Sequence, residues 1–123
     1  VKGNVNFNYT DANIKAESQG TASLIMSGIS NVNLTVQAGA ESQGYPLTIN
    51  KFDAVPPTVT QQTSNLNLSR TGVDMNIQAG TYDMNGLNLT INDTLTLAIG
   101  TTLNKNGGTL GATTINNNGT INP

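Results

Sequence analysis

Apolar and polar residues alternate in short runs along most of the chain. Asn4-Val5-Asn6-Phe7-Asn8-Tyr9, Asn31-Val32-Asn33-Leu34-Thr35-Val36 and Gly72-Val73-Asp74-Met75-Asn76-Ile77 all keep a period of two. That is the period of a half-buried β-strand and not of a helix. The runs also recur. Asn31 to Gly39 reads against Gly72 to Gly80, and Leu-Thr-Ile-Asn follows each copy at nearly the same offset, as Leu47–Asn50 and Leu89–Asn92. The opening run, Asn4 to Tyr9, is a third and weaker copy. Repeated strand-turn-strand units build sheets, sandwiches and solenoids.

In the first half, strands are expected over Asn4–Tyr9, Asn13–Glu17, Thr21–Ser27 and Asn31–Gln37. Asp11 to Ser18 is the one stretch that could form a short helix, and the alternation of Ile14 and Ala16 favours strand there too. Ala16-Glu17-Ser18-Gln19-Gly20 returns as Ala40-Glu41-Ser42-Gln43-Gly44, a repeated turn closed by glycine. Reading Glu17 and Glu41 as paired ligands is the functional alternative. Residues 51–64 hold the only Pro-Pro pair, Pro56-Pro57. Proline cannot donate to a ladder, so this stretch reads as an edge strand or a crossover. From Asn65 on, Leu66/Leu68, Leu87/Leu89/Ile91 and Leu95/Leu97/Ile99 give a rung-like pattern, punctuated by Asn85-Gly86, Asn106-Gly107 and Asn118-Gly119. Asn-Gly is the strongest short hairpin signal, and in a stacked solenoid it would mark a corner. The expected fold is all-β: an antiparallel sandwich or short barrel with an internal repeat, and a solenoid-like C-terminal part as a variant. Residues 1–123 form one domain, with repeat halves of about 1–50 and 65–123 joined by 51–64.

Composition narrows the function. Charged residues make up only 10% of the chain and the net charge is -2, against about 25% charged residues in an ordinary domain. Low repulsion favours close packing of like subunits. Lys2, Lys15, Lys51, Arg70 and Lys105 are scattered, so no basic stripe exists to neutralise phosphates and nucleic acid is not an expected partner. No apolar run approaches the ~20 residues of a membrane span. The chain starts at Val1 without an initiator Met, which fits signal-peptide removal and equally fits trimming of the initiator Met or a sequence that begins within a longer chain.

Histidine and cysteine are absent, which removes disulfides and most nucleophilic, proton-shuttling and transition-metal chemistry. The carboxylates Asp11, Glu17, Glu41, Asp53, Asp74, Asp83 and Asp93 do not cluster in sequence, and there is no Trp and little other aromatic lining for a sugar cleft. No catalytic residue, cofactor or metal is expected. Asp83-Met84-Asn85-Gly86 has the start of a calcium loop but lacks its later acidic ligand, and a turn explains it more simply. Were a calcium bound, Asp83, Asn85 or Asp93 would be its place. Asn8, Asn33, Asn67, Asn88, Asn92 and Asn118 sit in acceptor sequons that permit glycosylation without requiring it. Thr58-Val59-Thr60 and Thr94-Leu95-Thr96 raise ice or sugar binding on a flat β-face, but would need a regular ladder. An isopeptide crosslink from Lys15 near Glu17, or Lys51 near Asp53, competes with the plainer role of exposed lysines that protect strand edges.

The tail from Gly107 to Pro123, with Thr113-Thr114-Ile115-Asn116-Asn117 and Gly119-Thr120-Ile121-Asn122, resembles the Gly-Thr-Ile-Asn-Asn rungs of large bacterial surface adhesins of the filamentous-haemagglutinin type. The resemblance covers the final third, from about Gly86. It implies a secreted, surface-exposed β-repeat and carries over no functional residue. The expected function is structural: a subunit of an extracellular assembly, a cell-surface fibre, pilus or adhesin packing against copies of itself. The alternative is a capsid decoration or head-fibre protein on a virion. In either setting Val5, Phe7 and Tyr9, on one face of the first strand, form the candidate assembly interface, through strand pairing with a neighbouring subunit.

Overall fold

A computed structural model describes residues 1–7, 23–38, 44–68 and 70–123. Among them all regular structure is β: β1 Val5–Phe7, β2 Leu24–Gly28, β3 Val32–Val36, β4 Leu47–Lys51, β5 Thr58–Gln62, β6 Leu66–Leu68, β7 Met75–Ala79, β8 Thr81–Asp83, β9 Leu89–Leu97, β10 Thr102–Asn104, β11 Leu110–Asn117 and β12 Thr120–Asn122. No helix is long and apolar enough to cross a membrane.

Every strand pairing is parallel. The chain winds as a β-solenoid with three faces. The first face runs β1-β3-β5-β8-β10-β12. The second stacks β2, β4 and β7 with the C-terminal halves of β9 and β11. The third stacks β6 with the N-terminal halves of the same two strands. β9 and β11 each bend from one face to the next, and β11 does so with a register shift between Ala112 and Thr114.

The rungs tighten along the chain. On the first face Val5 is in register with Leu34 and Val32 with Val59, steps of 29 and 27 residues. Val59 then aligns with Tyr82, Tyr82 with Leu103 and Leu103 with Ile121, steps of 23, 21 and 18.

Alternation places one set of side chains inside all three faces. Met26, Leu34, Leu47, Ile49, Val59, Leu66, Met75, Tyr82, Leu89, Leu95 and Leu103 are among the fully buried members of one continuous core. Asparagine explains much of the remaining register. The Oδ1 atoms of Asn4, Asn31, Asn65 and Asn88 accept the backbone N–H of Asn33, Thr58, Asn88 and Thr109, at 2.8–2.9 Å, and Asp74 does the same for Thr94 at 3.0 Å. Each bond ties a rung start to the residue beside it one rung on, where the backbone ladder has not yet begun. Asn and Asp suit this role because a short side-chain carbonyl mimics a backbone acceptor.

Parallel winding corrects the expected antiparallel sandwich or barrel, and the solenoid extends well beyond the C-terminal part. Asn85-Gly86 and Asn106-Gly107 do adopt positive φ at both residues, 52°/74° and 49°/88°, but they turn the chain from the first face to the third and form no hairpin. Each flanking strand pairs with the strand one rung away instead of its successor. Nor is the Pro-containing stretch an edge: Pro56-Pro57 ends a corner, and β5 lies inside the first face between β3 and β8. The matched apolar residues Val32, Leu34 and Val36, and Val73, Met75 and Ile77, all point into the core. They lie on different faces, β3 on the first and β7 on the second. The expected strand Asn13–Glu17 and both copies of the Ala-Glu-Ser-Gln-Gly turn fall wholly or largely outside the described residues.

Candidate functional site

Within the described residues, the carboxylates of Asp74 and Asp93 both accept hydrogen bonds from Thr94. No group of three or more His, Cys, Asp or Glu comes together among them. Asp83 is committed to its turn: one Oδ1 accepts the Asn85 N–H and the Asn106 side-chain amide, both at 2.7 Å. Two N–H donors on one carboxylate oxygen hold this side chain in the turn. Asp53 caps its own loop through the Ala54 N–H at 2.7 Å, and Asp93 accepts from the Thr94 hydroxyl at 3.2 Å. Asp11, Glu17, Glu41 and Lys15 lie outside the described residues.

Lys51 is not the exposed edge lysine that the sequence suggests. It ends β4 facing inward and is fully buried, with its Nζ donating to the Ser27 carbonyl at 2.9 Å. Burial lowers its pKa from the ordinary 10.5, because desolvation penalises the charged form. Lys51 thus has the burial that a Lys–Asn isopeptide crosslink needs, but its Nζ is bound to the Ser27 carbonyl and the Asp53 carboxylate to the Ala54 N–H.

One buried polar network was missed by sequence reasoning. Gln61 occupies a core position on β5 and is fully buried. Its amide donates to the Ser64 and Asn88 carbonyls, both at 3.0 Å, and its Oε1 accepts the Tyr82 hydroxyl at 2.9 Å. Burial, and then the Asp83 charge, push the Tyr82 phenol well above its usual range, so it stays a donor. The signal was a glutamine at a position where the alternation calls for an apolar residue.

The two Thr-x-Thr words do not align, one being on the first face and the other on the second. A different column does form: Thr58, Thr81, Thr102 and Thr120 share one outward register on the first face. Beside it run Thr60, Asp83, Asn104 and Asn122, with the Asn122 amide donating to Asn104 Oδ1 at 2.8 Å. Asp83 puts a charge into the middle of that second column.

Two surfaces depart from this uncharged polar coat. The first is the C-terminal rung. β11 and β12 end their faces, and their core-directed side chains are incompletely covered: Leu110, Ala112 and Ile121 are partly buried, and Ile115 is 44% exposed. At the opposite end Val5 and Phe7, half-buried on β1, pair with β3. Along with Val1, Leu24 and Tyr45 they line an apolar cavity of about 400 Å3. Tyr9, the third candidate interface residue, lies outside the described residues.

The second surface is the corner joining the second face to the first. Ile29, Phe52, Val55 and Ile99 are 69%, 77%, 80% and 87% exposed, and all four sit in this corner, on the β2–β3, β4–β5 and β9–β10 rungs. On the β7–β8 rung the corner is cut to Gly80 alone. A Cβ there would lie 2.7 Å from Lys51 Cβ and from the Lys51 and Pro57 carbonyls, and φ is +88°, so only glycine makes the short turn. The missing loop leaves a notch of about 270 Å3, floored by Gln78–Gly80 and walled by Phe52 and Pro56 on one side and Ile99 on the other.

Comparison with protein families, curated proteins and solved structures finds no match to this chain.

Proposed function

We propose that this chain is a non-catalytic structural subunit of an extracellular assembly, a secreted fibre, pilus or adhesin in which copies pack against one another end to end. The observation that carries the reading is the last described rung, where the core-directed Ile115 and Ile121 are incompletely covered and the outer edges of β11 and β12 are unpaired among the described residues. An exposed strand edge above apolar side chains is a template for further pairing. A second copy stacked in the same direction sets its β1 beside β12. Both are end strands of the first face, and the added pairing stays parallel. Such a head-to-tail contact does not close on itself, so it grows a filament. The net charge of -2 opposes it little. The likeness of the tail to adhesin rungs points the same way.

Sedimentation velocity and electron microscopy test the reading. The wild-type chain should form concentration-dependent filaments, and the Ile115→Lys/Ile121→Lys variant should remain folded without forming them. A wild-type chain that never elongates would refute end-to-end packing. A particle studded with this chain in micrographs of the native source would favour the virion reading instead.

A further inference from the structure

The exposed apolar corner is too ordered to be scatter. Isolated surface hydrophobes are normal, whereas contiguous exposed ones mark contact sites. Here four of the seven exposed large apolar side chains among the described residues fall on one corner. Their order along the stack is Ile29, then Phe52 with Val55, then the notch over Gly80, then Ile99. Successive rungs are about 4.8 Å apart.

That order is self-complementary. A two-fold axis perpendicular to the stack, crossing the corner between the β4–β5 and β7–β8 rungs, exchanges those two rungs. Phe52 of one copy then faces the notch of the other, and the reverse contact is made at the same time. The same axis exchanges the β2–β3 rung with the β9–β10 rung, so Ile29 meets Ile99 of the second copy. Knob opposite hole and isoleucine opposite isoleucine is what an isologous interface requires. Among the described residues lining the notch the ionisable side chains are Lys51, turned inward to Ser27, and Asp53, capping its loop, while Lys2 lies near Gly28 beside Ile29. Lys51 sets no charge between the apolar contacts, and Asp53 is exposed with one carboxylate oxygen held by the Ala54 N–H.

We infer that this corner is a lateral, two-fold docking surface for a second copy of the chain, in which Phe52 seats in the notch over Gly80 and Ile29 meets Ile99. This deepens the assembly reading above by naming a second contact through which stacked copies associate side by side. The strip spans three rung spacings, about 14 Å, so one pair buries less than the ~1,200 Å2 of a stable interface. The contact is weak between single copies and strengthens when many are joined along a filament.

A chain without cysteine permits a direct test. In the full-length Ile115→Lys/Ile121→Lys background, where stacking is blocked, Ile29→Cys and Ile99→Cys are made as separate variants. Mixed in equal amounts at high concentration and mildly oxidised, they should give several-fold more disulfide-linked dimer than either variant alone. Adding Phe52→Ser to both should abolish that excess. Positions 29 and 99 within one chain stand about 14 Å apart, beyond disulfide reach, so the link reports a second copy. Equal crosslinking in the mixture and the single variants overturns the inference, as does an excess that survives Phe52→Ser or a need for some other protein before any dimer forms. The outcome is separable from end-to-end packing. If wild-type and end-blocked chains sediment alike while the mixed crosslink persists, the filament reading fails and the corner contact stands.

Discussion

The Tyr82–Gln61 pair offers the sharpest test of how this core is specified. Tyr82→Phe keeps the ring and removes only the hydroxyl, so Gln61 Oε1 loses the donor now at 2.9 Å. Both residues are fully buried, and water cannot replace that donor without opening the core. Leaving a buried acceptor unpaired costs about 1–3 kcal/mol, equivalent to a melting shift of about 3–6 °C per kcal/mol for a chain of this length. Gln61→Met goes further, stranding the Tyr82 hydroxyl and the Ser64 and Asn88 carbonyls together, and should destabilise more. In the double variant the hydroxyl and its acceptor leave together, so the combined loss should fall short of the sum by about 1 kcal/mol or more. Urea unfolding followed by far-UV circular dichroism measures all four chains. Strict additivity, or a Tyr82→Phe variant as stable as wild type, would refute a network that depends on mutual satisfaction.

Lys51 makes stability pH-dependent. Its folded pKa lies below 10.5, so between the two values the unfolded chain binds more protons at this site and the Lys51 contribution to stability rises with pH until 10.5 is passed. The raised pKa of Tyr82 opposes it above about 10; the stability difference between wild type and Lys51→Met in melting curves across the alkaline range should show that rise. Gly80→Ala should destabilise by more than about 1 kcal/mol, since positive φ and three contacts at 2.7 Å oppose it; a neutral result in thermal melting would mean that the corner can relax. Leu34→Ala, at a fully buried position, should lose roughly 2–5 kcal/mol in denaturant titration, and a loss under about 1 kcal/mol would show that the site collapses or is not core. In alkaline titration followed by tyrosinate absorbance, Tyr82 should stay protonated until the chain unfolds, in keeping with its raised pKa, and its ionisation in the native state would contradict its burial.

The sequence by itself determined that the chain is β and which side of each strand faces inward. Val32, Leu34 and Val36, like Met75 and Ile77, are buried as their alternation requires, because a strand exposes its two sides at a period that no other element shares. It did not determine which strands would be neighbours. Alternation reads the same on any face, so Asn31–Gly39 and Gly72–Gly80 match as words although β3 and β7 stand on different faces. Leu47–Asn50 and Leu89–Asn92 are likewise displaced, from the second face to the third. Asn-Gly specifies positive φ at a turn but not whether the chain then meets its predecessor or passes to a new face. Only rung-to-rung pairing, with Asn and Asp side chains reaching the next backbone N–H, decided for parallel winding. The buried Lys51, the Gln61–Tyr82 network and the notched corner are tertiary in the same sense. Each joins residues 20 or more positions apart, as Tyr82 to Gln61, Lys51 to Ser27 and Phe52 to Ile99. Their proximity follows from rung lengths that shrink from 29 to 18 residues along the first face, a quantity no local pattern encodes.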